Sequence, residues 1–130
     1  MQFSSTQFAD VVVAAPVGRI DFTAAGRLEQ ELESLLAQAE LGKHGLVLDF
    51  SGVEYISSVG LRVLMIAAKR MRARNARIGV ATLRPVVAEI FAISRFDGIF
   101  DMSPTVRGAI ERLSAVALAE FDAATKKPAA

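Results

Sequence analysis

Cysteine and tryptophan are both absent from this chain of 130 residues, and histidine occurs once, at His44. The missing thiols exclude disulfides, thiolate catalysis and cysteine-ligated zinc together, and they suit a reducing compartment. A single imidazole in a glycine-flanked connection lacks the partners for a metal site or a catalytic dyad. The run Gly42-Lys43-His44-Gly45 has neither the glycine spacing nor the Lys-Ser/Thr ending of a phosphate-binding loop. Charge of one sign is also missing: fifteen basic residues stand against fourteen acidic ones, a formal net charge of +1. That balance gives no global electrostatic case for nucleic acid. No apolar run approaches the ~20 residues of a membrane span. The opening MQFSSTQFADVVV lacks the basic start and apolar core of a signal peptide. These absences predict a soluble cytoplasmic protein with no cofactor, no metal, no nucleic-acid partner and no insertion into a membrane.

What is present is a core. Hydrophobic residues make up 52% of the chain and charged ones 22%, so a disordered chain is excluded. The length suits one domain over residues 1–122, with 123–130, including Lys126, Lys127 and Pro128, as a disordered tail. A weak strand around Gln2 to Phe8 precedes a valine-rich strand from Val11 to Val17 that ends at Gly18. Asp21 or Thr23 caps a helix whose Leu28, Leu32, Leu35, Leu36 and Ala39 share one face. Gly42 and Gly45 end it, and a strand follows from Leu46 to Phe50. The next helix carries Leu61, Leu64, Met65, Ala68 and Met71 on one side and ends near Asn75. Arg77 to Leu83 is a strand, parallel to the previous one through a helical crossover. Pro85 opens a helix on which Val86, Ile90 and Ile93 share a face. Ile99-Phe100 reads as a short edge strand. Ser103-Pro104 reads as cap and first turn of a last helix with Val106, Ile110, Leu113 and Ala117 inward. The fold class is α/β.

The informative stretch is GLVLDFSGVEYISSVGLRVL, from Gly45 to Leu64. A buried-type strand enters a polar turn at Asp49, Ser51 and Gly52. Val53 and Tyr55 then lead to Ser57 and Ser58, where a helix begins. Hydroxyls at such a point are either structural caps or a place where phosphate is added and read. Asp21 reads first as a cap, and Asp49 as the stabiliser of its turn. Lys69, Arg70, Arg72, Arg74 and Arg77 read as a solvated helix end that suits the C-terminal dipole. Met65 and Met71 read as core or interface filler, and Phe96, Leu118 and Phe121 as packing between elements. No nucleophile–base pair, carboxylate dyad or cofactor fingerprint marks an enzyme, so no catalytic residue is assigned.

Asp49-Phe50-Ser51-Gly52-Val53 followed by Ser57-Ser58-Val59-Gly60-Leu61, with Gly18 and Asp21 before and VVAEIFAISRFDGIFDM after, resembles the STAS domain family. The similarity covers roughly residues 8–117 and is of the anti-sigma factor antagonist type. It implies a small mixed sheet of four to five strands with about four helices packed largely on one face. It also implies partner switching. Such an antagonist binds an anti-sigma factor, often a serine kinase of the GHKL ATPase type. Phosphorylation at the start of the second helix weakens that binding, and a serine phosphatase reverses it. The common pattern is Asp-Ser-Ser/Thr-Gly-Leu, with the acceptor immediately before the glycine. Here Val59 holds that place, so the resemblance implies Ser58 as acceptor, with Ser57 as the alternative. The partner-binding set it implies is Asp21, Ser57, Ser58, Val59, Gly60 and Arg62. Because the usual acceptor is missing, the alternative is a phosphorylation-independent STAS subunit of a transport complex, such as a lipid ABC-type transporter, or of another regulatory assembly.

Overall fold

The computed structural model describes residues 1–40 and 45–125. Expectations placed on Gly42, Lys43 and His44, on the side chain of Ala39, and on Lys126, Lys127 and Pro128 lie outside the described residues. Strands β1 (Gln2–Phe8) and β2 (Val11–Ile20) pair antiparallel, from Gln2 opposite Val17 to Phe8 opposite Val11. Helix α1 (Ala25–Glu40) carries the chain back to β3 (Gly45–Asp49), parallel to the first part of β2. After the turn at Phe50 to Gly52, β4 (Val53–Ile56) runs on against the end of β2. Helix α2 (Ser58–Ala73) leads to β5 (Arg77–Ala81), parallel to β3. Helix α3 (Pro85–Ile93) and a single 3₁₀ turn, Phe96–Gly98, lead to β6 (Asp101–Ser103), parallel to β5. Helices α4 (Val106–Leu113) and α5 (Ala115–Thr125) complete the described chain.

Period-two alternation in the strands divides the core between two faces. Val12, Ala14, Leu46, Leu48, Ile78 and Val80 join α1, α2 and α3 on one face. Val11, Val47 and Ala81 join α4 and α5 on the other. Leu28, Leu32, Leu35 and Leu36 of α1 are all buried, as the helical spacing requires. Each such leucine stabilises the fold by about 1.5–3 kcal/mol relative to an exposed one. On α3 the buried residues are Val87 and Phe91. Phe91 packs edge-on against Phe50 and Phe96, with centroids 6.0 and 5.8 Å away. The face shared by Val86 and Ile93 is therefore the outer one, 57% and 76% exposed, with Ile90 half-buried between.

The sheet is the expected mixed one, with six strands among the described residues rather than four to five. The added strand is β4, short enough to read as part of the turn before it. Among the described residues five helices replace about four, three on one face and two on the other. The last predicted helix divides because Ser114 is extended (φ −162°, ψ 121°). Its hydroxyl donates to Asp10 Oδ1 at 2.6 Å and accepts from the Ala117 amide at 3.1 Å, starting α5. Phe121 on α5 then meets Phe8 edge-on at 5.2 Å. Phe96 is buried, and Leu118 is half-buried. Thr105, not Ser103, caps α4, accepting from the Gly108 amide at 3.0 Å. Ser103 belongs to β6, which replaces the edge strand expected at Ile99-Phe100. Gly18 does not end β2. At φ 110° it adopts a conformation L side chains avoid, the register against β4 shifts there, and the strand continues to Ile20. Helix α5 reaches Thr125, three residues into the segment read as a tail.

Candidate functional site

That continuation of β2 builds the site. Strands β2 and β4 end side by side, and the Ser57 amide donates to the Ile20 carbonyl at 2.8 Å. Beyond that bond one chain leaves as Asp21 and the other enters α2 as Ser57 and Ser58. Ser57 is extended (φ −81°, ψ 167°), and its Oγ accepts from the Gly60 amide at 3.1 Å. Its carbonyl accepts from the Leu61 amide at 2.9 Å. Ser57 is thus a complete helix cap, half-buried and engaged. Ser58, the first helical residue, is exposed, and among the described residues no hydrogen bond engages its hydroxyl. Val59 beside it is 37% exposed. Arg62, one turn on from Ser58, is exposed.

Gly60 is buried beneath this surface. A Cβ there would come within 2.9 Å of both Ile20 and Ile56, so the glycine lets α2 lie against the ends of β2 and β4. Asp21 Oδ1 accepts from the Thr23 hydroxyl at 2.8 Å and the Ala24 amide at 2.9 Å. The Thr23 hydroxyl first, then the Ala24 amide, hold its carboxyl below the usual carboxylate value, with Arg19 adding to the effect. Asp21 therefore serves as the cap its sequence suggests, and it lies next to the serines. Phe22, in the same turn, is 76% exposed, and the Arg19 guanidinium lies over the Tyr55 ring at 4.6 Å. Sequence reasoning missed these last three. The available signal was an aromatic residue between two capping residues, where no helical or strand period assigns it to a core.

Two other sequence candidates have structural work elsewhere. Asp49 Oδ1 accepts from the Ser51 amide at 3.0 Å and the Thr82 hydroxyl at 2.6 Å, fixing its own turn to the chain after β5. The basic run at the end of α2 is dispersed among partners. Arg70 faces Glu33 at 3.8 Å, Arg72 donates to the Ile99 carbonyl at 3.2 Å, and Arg77 bonds Asp101 at 2.8 Å. Met71 is buried and Met65 half-buried, both as filler. Among the described residues no three carboxylate or imidazole side chains converge to hold a metal. No described helix is long and apolar enough to cross a membrane.

The start of α2 can accept negative charge without damage to the domain. The first amides of a helix lack intrahelical acceptors, and the dipole is positive there. A phosphate on Ser58 would meet both, while Ser57 kept its cap.

The sequence model of the STAS domain matches residues 2–109 of this chain. A protein of Bordetella bronchiseptica described as an anti-sigma factor antagonist, BtrV, is 34% identical over 103 residues, 79% of this chain and 86% of that protein. The crystal structure of an anti-sigma factor antagonist from Mycobacterium paratuberculosis superposes with a TM-score of 0.78 at 26% identity. That match covers 86% of this chain and 92% of that one. The Bacillus cell fate determinant SpoIIAA in its phosphorylated form has a TM-score of 0.65 at 17% identity, covering 85% and 98%, a likeness of fold alone. Most of the sequence matches, the strand order is built around one long β2, and a capped helix emerges where β2 and β4 end: this chain belongs to the STAS domain family.

Proposed function

We propose that the chain is an anti-sigma factor antagonist that works in the cytoplasm by partner switching. The unmodified start of α2 binds an anti-sigma factor that is also a serine kinase of the GHKL type, releasing a sigma factor. The kinase transfers the γ-phosphoryl group of ATP to Ser58 Oγ; ADP leaves and the hydroxyl proton passes to a base of the kinase. A serine phosphatase hydrolyses the ester with water and restores the hydroxyl. This chain supplies a binding surface, and the chemistry belongs to its partners. Ser58, Val59 and Arg62 form the docking face, Asp21 and Ser57 border it, and Gly60 supports it from below.

The observation that carries this reading is the division of labour between adjacent serines. Ser57 is occupied by its cap, while Ser58 is exposed with no partner for its hydroxyl among the described residues. That relatives are described as anti-sigma factor antagonists supports it further. A phosphoserine carries about −1.5 to −2 charges at neutral pH. The domain tolerates that charge at a helix start, so the cost falls on a partner packed against it. A hundredfold loss of affinity corresponds to ~2.7 kcal/mol, within reach of one desolvated, unpaired charge at an interface.

The test is phosphate mapping by mass spectrometry after incubation with ATP and the kinase. Label on wild type and Ser57→Ala, and none on Ser58→Ala, is expected. Val59 at the customary acceptor place favours the competing reading, a phosphorylation-independent subunit of a transport or other complex. Absence of label from Ser58, with stable association to a transporter ATPase, would establish that reading instead.

A further inference from the structure

Exposed arginines on the helices of this protein are, as a rule, engaged. Arg27 faces Glu31 one turn along α1, and Arg107 faces Glu111 one turn along α4 and bonds Asp122 at 3.0 Å. Arg70 and Arg72 reach across to other elements. Arg62 differs. Helix α2 contains no acidic residue, and the positions three and four away from Arg62 are Ser58, Val59, Met65 and Ile66. Among the described residues it has no hydrogen bond or ion pair. No carboxylate of the adjoining elements is paired with Arg62 among the described residues, and Glu29 of α1, which lines a groove with Val63 and Ile66, stands exposed. Asp21 is taken up by Thr23 and Ala24, the cation of Arg19 lies over Tyr55, and Glu54 stands exposed on β4.

We propose that Arg62 is the built-in counterion of a phosphate on Ser58, and that this pairing withdraws it from the partner. The inference rests on Ser58 being the modified residue and adds how the mark acts. Residues four apart on a helix are neighbours on one face, and an anion N-terminal to its cation is the favoured order. A guanidinium meets phosphate oxygens through two parallel N–H donors, which gives the pair a defined geometry. In the unmodified chain the same guanidinium is offered, beside the exposed Val59 and Ile66, to a carboxylate of the partner. Phosphorylation then acts twice: it places a dianion in the interface and removes the cation that the partner reads.

The experiment uses full-length chain carrying phosphoserine at position 58 by genetic encoding, titrated by ³¹P NMR. Arg62 holds the dianion, so Arg62→Gln is expected to raise the second phosphate pKa by roughly 0.3 units. Arg19→Gln, the neighbouring cation, is expected to move it less. Both side chains are exposed, and neither change disturbs the core. Equal midpoints with and without Arg62→Gln would overturn the proposal, as would a larger response to Arg19→Gln. The phosphate is installed without a kinase. Failure of a kinase to label Ser58 would therefore count against the proposed function alone, and equal midpoints against this inference alone.

Discussion

The two ends of α2 both carry exposed arginine and use it differently. At its end, Arg70, Arg72 and the following Arg77 are bound to Glu33, to the Ile99 carbonyl, and to Asp101 and the Arg112 carbonyl. At its start, Ser58, Val59 and Arg62 face solvent with nothing among the described residues to engage them, above a Gly60 that packs tightly on Ile20 and Ile56. One end is tied to other elements; the other stands exposed above a closely packed glycine. Charge density alone does not mark an unengaged surface, because here the denser basic end is the one tied to other elements.

The largest effect on this contrast is expected from the base. Gly60→Ala forces a methyl group within 2.9 Å of two isoleucines and is expected to destabilise by ~1–3 kcal/mol in denaturant unfolding. An unchanged midpoint would mean that α2 does not rest on that contact. Next come the serines: Ser57→Ala removes a cap and is expected to cost ~1 kcal/mol, whereas Ser58→Ala stays within ~0.5 kcal/mol. Equal losses would erase the division between the engaged and the free hydroxyl. Smaller again is Arg77→Ala, whose half-exposed pair with Asp101 contributes ~0–1 kcal/mol and should weaken in high salt. Arg62→Ala should leave stability unchanged and weaken partner binding.

The smallest effect concerns Asp21 in acid. Its depressed carboxyl favours the folded state above the unfolded pKa, and that contribution is lost as pH falls through the lower folded value. The Asp21 carboxyl resonance should therefore titrate below 3.8, and Thr23→Val should move it upward. No change on removing the Thr23 hydroxyl would show that this bond does not hold the turn beside Ser57.

Much of the fold was legible because its signals are local and periodic. The leucine face of α1 and the apolar side of α2 follow from spacing alone. β4 was not legible as a strand, since four residues after a turn carry too little pattern, and its pairing with β2 depends on the bulge at Gly18. The outward Val86–Ile93 face was read from the same period that marks inward faces. Phe91 wins the core there by its aromatic packing, which sequence does not reveal. At the site, the chain order Ser57-Ser58-Val59-Gly60 named the helix start. Which serine caps it depends on the amide of Gly60 and the carbonyl of Ile20, a contact between segments more than thirty residues apart. Phe22 and the Arg19–Tyr55 pair escaped for a related reason: strand ends meet there through topology.

The most direct test of the central claim is the affinity of the anti-sigma factor for the unmodified chain and for the chain carrying phosphoserine at position 58, measured by calorimetry at one ionic strength. A loss of about a hundredfold, ~2.7 kcal/mol, with the domain still folded, is predicted. Equal affinities would contradict it and leave the exposed start of α2 without a role in switching.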